Sequence, residues 1–223
     1  MNREEIKRIV PKIVVVLVFF CTHQTLFPQT VLLDPPEHYI GTSHGVNAST
    51  VLFNPSVTQN FMFLGYTGGI CYRYVTEKRV GLQLELKYSQ RGWEEASGKY
   101  TRRIDYIELP MLTHIYLFDK HRVIFNLGPK VSYVLSDTKL KNTVPDLTVE
   151  QQKDVYYPFD YGLTAGIGYN LHTRKTGVYE LEFRCYYGLS DIFANTKSDY
   201  FVTSNYLNFS LNLGWYFQLS GKK

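Results

Sequence analysis

Cysteine, methionine and tryptophan are scarce in this sequence, and helical periodicity is missing from most of it. Three Cys in 223 residues exclude a disulfide scaffold. A net charge of +4, from 24 Lys and Arg against 20 Asp and Glu, is too small to argue for a nucleic-acid surface. No apolar run approaches the roughly 20 residues that a spanning helix needs. Cys and His do not recur at the spacing of a metal site. The glycine cluster Gly65-Tyr66-Thr67-Gly68-Gly69 lacks the closing Lys-Ser/Thr and the following helix of a phosphate loop, so it reads as strand glycines. With 44% hydrophobic and 20% charged residues the chain is not disordered. What it has in quantity is aromatic side chains: 16%, from 19 Tyr, 14 Phe and 2 Trp. The length reads as one domain, or two small ones.

Residues 1–30 differ from the rest. Arg3, Lys7, Arg8 and Lys12 precede the apolar run Ile13–Phe20, and a polar stretch from Thr22 to Thr30 follows. A basic segment followed by a short apolar one predicts a secretory signal peptide, cleaved near Phe27-Pro28-Gln29-Thr30. Cys21 raises a lipoprotein alternative, but the bulky Phe19 and Phe20 stand where such processing wants small residues. The expected organisation is a signal peptide over 1–30 and one exported domain over 31–223.

Beyond residue 31 no window carries apolar residues at i, i+3, i+4 and i+7 over three turns; period two dominates. Val80, Leu82, Leu84, Leu86 and Tyr88 alternate with Gly81, Gln83, Glu85 and Lys87. Phe159 to Leu171 alternates with Asp160, Gly162, Thr164, Gly166, Gly168 and Asn170, and Leu207 to Phe217 with Asn208, Ser210, Asn212 and Gly214. This pattern predicts eight strands, at about 38–52, 62–75, 79–91, 102–118, 121–135, 158–172, 177–190 and 203–219. Connections alternate between tight polar turns (Thr76-Glu77-Lys78, Asp119-Lys120, Thr173-Arg174-Lys175-Thr176) and longer loops near 53–61, 92–101, 136–157 and 191–202. The fold class expected is all-β: an eight-stranded antiparallel up-and-down transmembrane β-barrel. Pro110 within a strand predicts a bulge there.

Alternation alone does not say which face is inside, and a soluble lipocalin-like barrel would show it too. The small and charged residues of one face suit a narrow, filled interior, and the other face is nearly free of charge. Aromatics also sort to strand ends. Tyr72, Tyr74, Tyr116, Phe118, Tyr169, Tyr179, Trp215 and Phe217 lie near the short turns, and Tyr88, Trp93, Tyr100, Tyr106, Tyr133, Tyr187 and Tyr206 near the long loops. Two belts are what a bilayer demands.

Several short motifs also look familiar. Gly45-Val46-Asn47, Gly81-Leu82-Gln83-Leu84-Glu85-Leu86 with Tyr88-Ser89, Tyr106-Ile107-Glu108-Leu109-Pro110, Gly128-Pro129 with Val131 to Ser136, and the terminal Trp215-Tyr216-Phe217 resemble the PorT-like outer-membrane β-barrel family of the Bacteroidetes. The resemblance spans residues 38–219 and implies an eight-stranded barrel of the cell outer membrane. The named member of that family serves a protein-secretion and gliding apparatus. Nothing in this sequence matches that member specifically, so its role is not carried over.

The polar parity collects one candidate constellation, a lumenal charge cluster of Arg73, Glu85, Lys87, Glu108, Lys130, Glu182 and Arg184, with His114, Arg122 and Glu180 on the same faces. In a lumen just wide enough for side chains, these charges must pair, because unpaired buried ions are costly. The expectation is a plug. A catalytic pair such as Glu85 with Glu108 is the sharper alternative, and spacing does not favour it. The His residues are scattered, with no Ser and carboxylate beside one on a strand face, so no enzyme and no cofactor are expected. The loop over 136–157, with Asp137, Lys139, Lys141, Asp146, Glu150, Lys153 and Asp154, reads first as a solvated loop; as a surface it would suit an envelope protein, a glycan or a surface polysaccharide. The function expected is a structural or interaction role through the long loops or the turns. A small porin-like transporter, or a component of a secretion apparatus, is the alternative. Expected partners are outer-membrane lipid and, through the aromatic-ended final strand, the outer-membrane assembly machinery. No nucleic acid is expected.

Overall fold

Strict alternation over long stretches gives each strand one apolar and one polar face, and a sheet with two such faces can bury the polar one by curling closed. A computed structural model of the chain describes residues 36–54, 60–76, 79–95, 100–118, 121–142, 155, 157–173, 176–193 and 203–221. Among these residues there are eight strands and no helix: β1 Glu37–Asn54, β2 Asn60–Val75, β3 Val80–Glu95, β4 Tyr100–Leu117, β5 His121–Asn142, β6 Phe159–Thr173, β7 Gly177–Gly188 and β8 Thr203–Ser220. Each pairs antiparallel with its neighbour, and β8 returns to β1 along a seam from His38↔Ser220 to Asn54↔Thr203, closing the barrel. Closure leaves no unpaired sheet edge around the ring, the condition for spanning a bilayer with strands. The expected signal segment (1–30, with Cys21) and the loop residues Asp146, Glu150, Lys153, Asp154 and Tyr156 lie outside the described residues, as do the central residues of the tight turns.

The barrel is inside out relative to a soluble one. On β3, Leu82, Leu84 and Leu86 are 59%, 47% and 44% exposed, while Glu85 and Lys87 at the alternate positions are 2% and 3% exposed. β8 repeats this, with Leu211, Leu213, Trp215 and Phe217 outside and Asn208 and Asn212 buried. A continuous apolar wall of this extent is a liability in water and a requirement in lipid.

The ladder departs from the sequence reading in several places. β1 runs to Asn54 and β3 to Glu95, and β4 starts at Tyr100, into the segments read as loops near 53–61 and 92–101. β5 runs to Asn142, well past residue 135, because Tyr100 to Asp105 of β4 pair with Ser136 to Asn142. Asp137, Lys139 and Lys141 are therefore strand residues. Their segment looked like a loop because neither of its faces is uniformly apolar. At Pro110 there is no bulge: Leu84↔Met111 and Lys87↔Glu108 keep one register on the β3 side, as do Pro110↔Lys130 and Thr113↔Leu127 on the β5 side. The ring removes a donor without inserting a residue.

A register shift does occur on β2, between Met62 and Thr67. There β1 reaches past it to serve the β3 backbone. Asn47 Nδ2 donates to the Gln90 carbonyl at 2.8 Å, while Ser49 Oγ donates to the Gly92 carbonyl at 3.1 Å and accepts from Gly92 N at 2.8 Å. At the neighbouring Gly68 the Tyr66 hydroxyl and His44 Nδ1 bond each other at 2.6 Å across the space a Cβ would take, so a larger residue there would displace that bond.

The aromatic belts are real but thinner than the sequence suggested. Tyr72, Tyr169, Tyr179, Trp215 and Phe217 face outward at the short-turn end, and Tyr133, Phe159, Tyr161 and Tyr187 at the other. Tyr116, Trp93, Tyr100, Tyr106 and Tyr206 are instead buried inside. Height along a strand does not decide which face a ring takes; parity does: Trp93 shares the face of Glu85 and Lys87, Tyr106 that of Glu108, and Tyr206 that of Asn208.

Cys71 of β2 faces the lumen, buried, and Cys185 of β7 lies on the outward face, half-buried; both thiols are free. Their ladder partners are Gly41 and Glu85 for the first, Ala165 and Phe209 for the second. A disulfide needs Cα atoms within roughly 7 Å and converging Cβ vectors. Digestion of the purified protein without reductant is expected to yield both cysteines as separate peptides. A linked Cys71–Cys185 peptide would mean that strand order or parity is wrong.

Candidate functional site: the lumenal charge network

The inward face of an eight-stranded barrel converges on an axis that side chains can reach from every wall. Ion pairs here therefore run across the barrel as well as along it. At mid-height Arg184 of β7 offers a two-pronged fork to Glu85 of β3, the strand opposite in the ring, with bonds of 2.7 and 2.8 Å, and a third bond of 2.6 Å to Glu182. The planar guanidinium suits such bidentate pairing, which a lysine does not reproduce. Lys87 of β3 donates to Asn212 at 3.1 Å and Ser43 at 3.3 Å, with Glu85 at 3.9 Å.

Toward the short turns, Arg73 of β2 pairs with Glu180 of β7, bonds Gln83 at 2.7 Å and lies 4.2 Å from the centroid of the Tyr216 ring. The Tyr216 hydroxyl donates to Glu180 at 3.1 Å. His114 of β4 bonds Asn126 at 2.7 Å, and Asn126 Nδ2 donates to Glu182 at 2.7 Å. That second bond turns the Asn126 carbonyl toward the imidazole, so Nδ1 of His114 is the protonated nitrogen. Arg122 sits half-buried at the end of the lumen, 4.0 Å over Tyr116 and 3.9 Å from Glu37.

Toward the long loops stands Arg91 of β3, fully buried. It pairs with Glu108 of β4 and Asp160 of β6 and donates to Ser132 at 2.8 Å. The rings of Tyr106, Tyr186 and Tyr206 surround it, at 4.6, 4.8 and 5.5 Å from its guanidinium carbon. Lys130 of β5 shares Glu108 at 3.2 Å and lies 3.6 Å from the Tyr186 centroid. Above this cage an apolar cluster that includes Trp93, Tyr100, Ile104, Ile192 and Phe193 fills the mouth. Arg102 pairs with Asp137 there and lies 5.3 Å over Phe193. Phe193 comes from the chain just after β7, which is held in place by Ile192 N donating to the Ser204 carbonyl at 3.2 Å and by Ser190 Oγ donating to Asp160 at 2.7 Å.

Between its two ends, the described lumen buries five cations (Arg73, Lys87, Arg91, Lys130, Arg184) and five anions (Glu85, Glu108, Asp160, Glu180, Glu182), a formal sum of zero. Arg73, Glu85, Lys87, Glu108, Lys130, Glu182 and Arg184, together with His114 and Glu180, all lie here; Glu85 and Glu108 are each held by their own cations. Arg91 and Asp160 were not among the sequence candidates. Parity alone would have found them, since Arg91 continues the row Glu85, Lys87, Ser89 and Asp160 the row Gly162, Thr164. A cavity of about 10 Å³ remains at mid-height. That is room for the centre of about one water molecule.

Residues 37–194 match the family described as outer membrane protein beta-barrel domain. Among solved structures the chain is similar to the outer membrane protein OprG of Pseudomonas aeruginosa, at 10% identity and a TM-score of 0.48 over 83% of this chain and 97% of that one. It is similar to Ail, the attachment invasion locus protein of Yersinia pestis, at 13% identity and TM-score 0.42 over 81% and 99%. Neisserial surface protein A follows at 10% identity and TM-score 0.44 over 82% and 100%. No curated protein sequence matches the chain. The family match spans more than half of the sequence, and the chain belongs to the outer membrane protein beta-barrel domain family.

Proposed function

We propose that this outer-membrane β-barrel protein is a non-conducting, non-enzymatic anchor that presents an interaction surface at the long-loop end. The observation that carries the reading is the lumen as described: ten buried, mutually neutralising charges cross it, and an aromatic cluster packs at its long-loop end. Lumenal carboxylates held by Arg and Lys are occupied as acceptors and are poorly placed to shuttle protons for catalysis. Specificity in such a protein would come from the loops and from the β4–β5 hairpin that continues to Asn142.

Finer readings follow the sequence. The PorT-like motifs around Gly45-Val46-Asn47 and Tyr106 to Pro110 support kinship with that branch of Bacteroidetes barrels. The basic-then-apolar pattern of residues 1–30 supports a cleaved signal peptide and export before assembly. The aromatic-ended β8 supports recognition by the outer-membrane assembly machinery.

Conductance separates the anchor from the small-pore alternative. Purified protein in a planar bilayer is expected to give no step above the protein-free background at moderate voltage. Stable, reproducible single-channel openings would overturn the sealed-lumen reading and favour a transporter.

A further inference from the structure

We infer that the cavity at mid-height of the lumen is a binding site for a single structural water molecule. The space open to the centre of a water molecule is about 10 Å³, which suits about one water. The groups around it lack a partner that only a particular chemistry supplies.

Asn47 is fully buried, yet its Oδ1 has no hydrogen-bond partner. The orientation of that amide is fixed. Its nitrogen side donates to the Gln90 carbonyl at 2.8 Å and to Ser89 Oγ at 3.1 Å, and a backbone carbonyl only accepts. Asn208, on the same cavity and also buried, likewise leaves Oδ1 unpartnered. Two acceptors therefore wait for donors. The cations Lys87, Lys130 and Arg184 also line the cavity, with the carboxylate Glu108. The Lys87 ammonium has three protons, two bonds of 3.1 and 3.3 Å, and its nearest carboxylate only at 3.9 Å.

The occupant must donate to the two amide oxygens and accept from an ammonium. A halide accepts but cannot donate, and would face both oxygen lone pairs. A metal cation would satisfy the oxygens but would stand beside three positive side chains and one carboxylate, Glu108, that Arg91 and Lys130 already hold. Water does both, with two O–H groups for Asn47 and Asn208 and lone pairs for Lys87 and Lys130. Buried waters with three or so such bonds are integral parts of folded proteins. The inference rests on the sealed lumen of the proposed function, and the electron-density test below reads the site itself separately from conductance.

The test uses crystals of the full mature protein in detergent, one native and one soaked in sodium bromide. The native map is expected to show one peak at hydrogen-bond distance, about 2.7–3.2 Å, from Asn47 Oδ1 and from at least one of the Lys87 and Lys130 ammonium groups. The soaked crystal is expected to show no bromine anomalous signal at that position. A bromine signal there would make it an anion site. A dry cavity of unchanged size, or Asn47 Oδ1 bonded directly to a protein donor, would also overturn the assignment.

Discussion

Replacing Arg91 by methionine is expected to cost the barrel about 3–5 kcal/mol, the range for removing one partner of a buried ion pair. Methionine fills much of the volume, but Glu108 then keeps its bond to Lys130 while Asp160 keeps only the neutral hydroxyls of Tyr186 and Ser190, and the three tyrosines lose the cation they surround. The described lumen goes from five against five to four cations against five anions. The measurement is the urea midpoint of the protein in detergent micelles, followed by the difference in gel mobility between unboiled and boiled samples. Arg91→Lys should fall between wild type and Arg91→Met, since the charge survives and the fork does not. Adding Asp160→Asn to Arg91→Met restores four against four and should recover most of the loss. An unchanged midpoint for Arg91→Met, or a double variant worse than the single one, would mean that the network is ornament on a barrel held by its ladder.

The second large effect lies on the opposite face, at the closing strand. Trp215 and Phe217 of β8 point into lipid at the short-turn end. Their rings stand 4.5 Å apart, the Tyr179 ring stacks 6.3 Å from Trp215, and Trp215 Nε1 donates to the Thr176 carbonyl at 2.7 Å. They pair across the seam with Thr42 and Ile40 of β1, where the ring must be completed. Trp215→Asp with Phe217→Asp is expected to leave export intact and abolish assembly. Each charge on the lipid face costs about 0–4 kcal/mol according to depth, and the aromatic ending proposed as the assembly signal is gone. In cells without periplasmic proteases the double variant should be recovered from the periplasm, with almost none in outer membranes. Normal outer-membrane levels in a heat-modifiable form would show that β8 is not the recognised closing strand.

Strand number, turn placement and inward charges were legible because a bilayer imposes one physical rule on every residue of a spanning strand. Leu82, Leu84 and Leu86 must meet lipid, so Glu85 and Lys87 must meet one another's partners inside. The rule lapses where the bilayer ends. Ser136 to Asn142 form a strand held by β4, with no apolar face to announce it. The aromatics erred for a different reason. Large rings serve the lipid belt and the lumenal stopper equally well, so Tyr106 and Tyr206 resemble Tyr133 and Tyr187 in everything but parity. What composition cannot give is which charges meet across the axis. Arg184 finds Glu85 on the facing strand, and Arg91 finds Asp160 three strands away. Those pairings depend on how far each strand is staggered in closing the ring, a quantity no single strand carries.

The central claim is that the polar parity faces a closed, filled lumen and the apolar parity faces lipid. It is tested most directly by nitroxide labels placed one at a time along β8, from Tyr206 to Phe217, in reconstituted bilayers. Oxygen, which concentrates in lipid, should collide strongly at Leu207, Phe209, Leu211, Leu213, Trp215 and Phe217 and weakly at Asn208, Asn212, Gly214 and Tyr216. A water-soluble nickel chelate should reach neither set. Strong chelate contact at the polar positions would mean an open, water-filled lumen, and oxygen maxima at those positions would mean that the barrel has been read inside out.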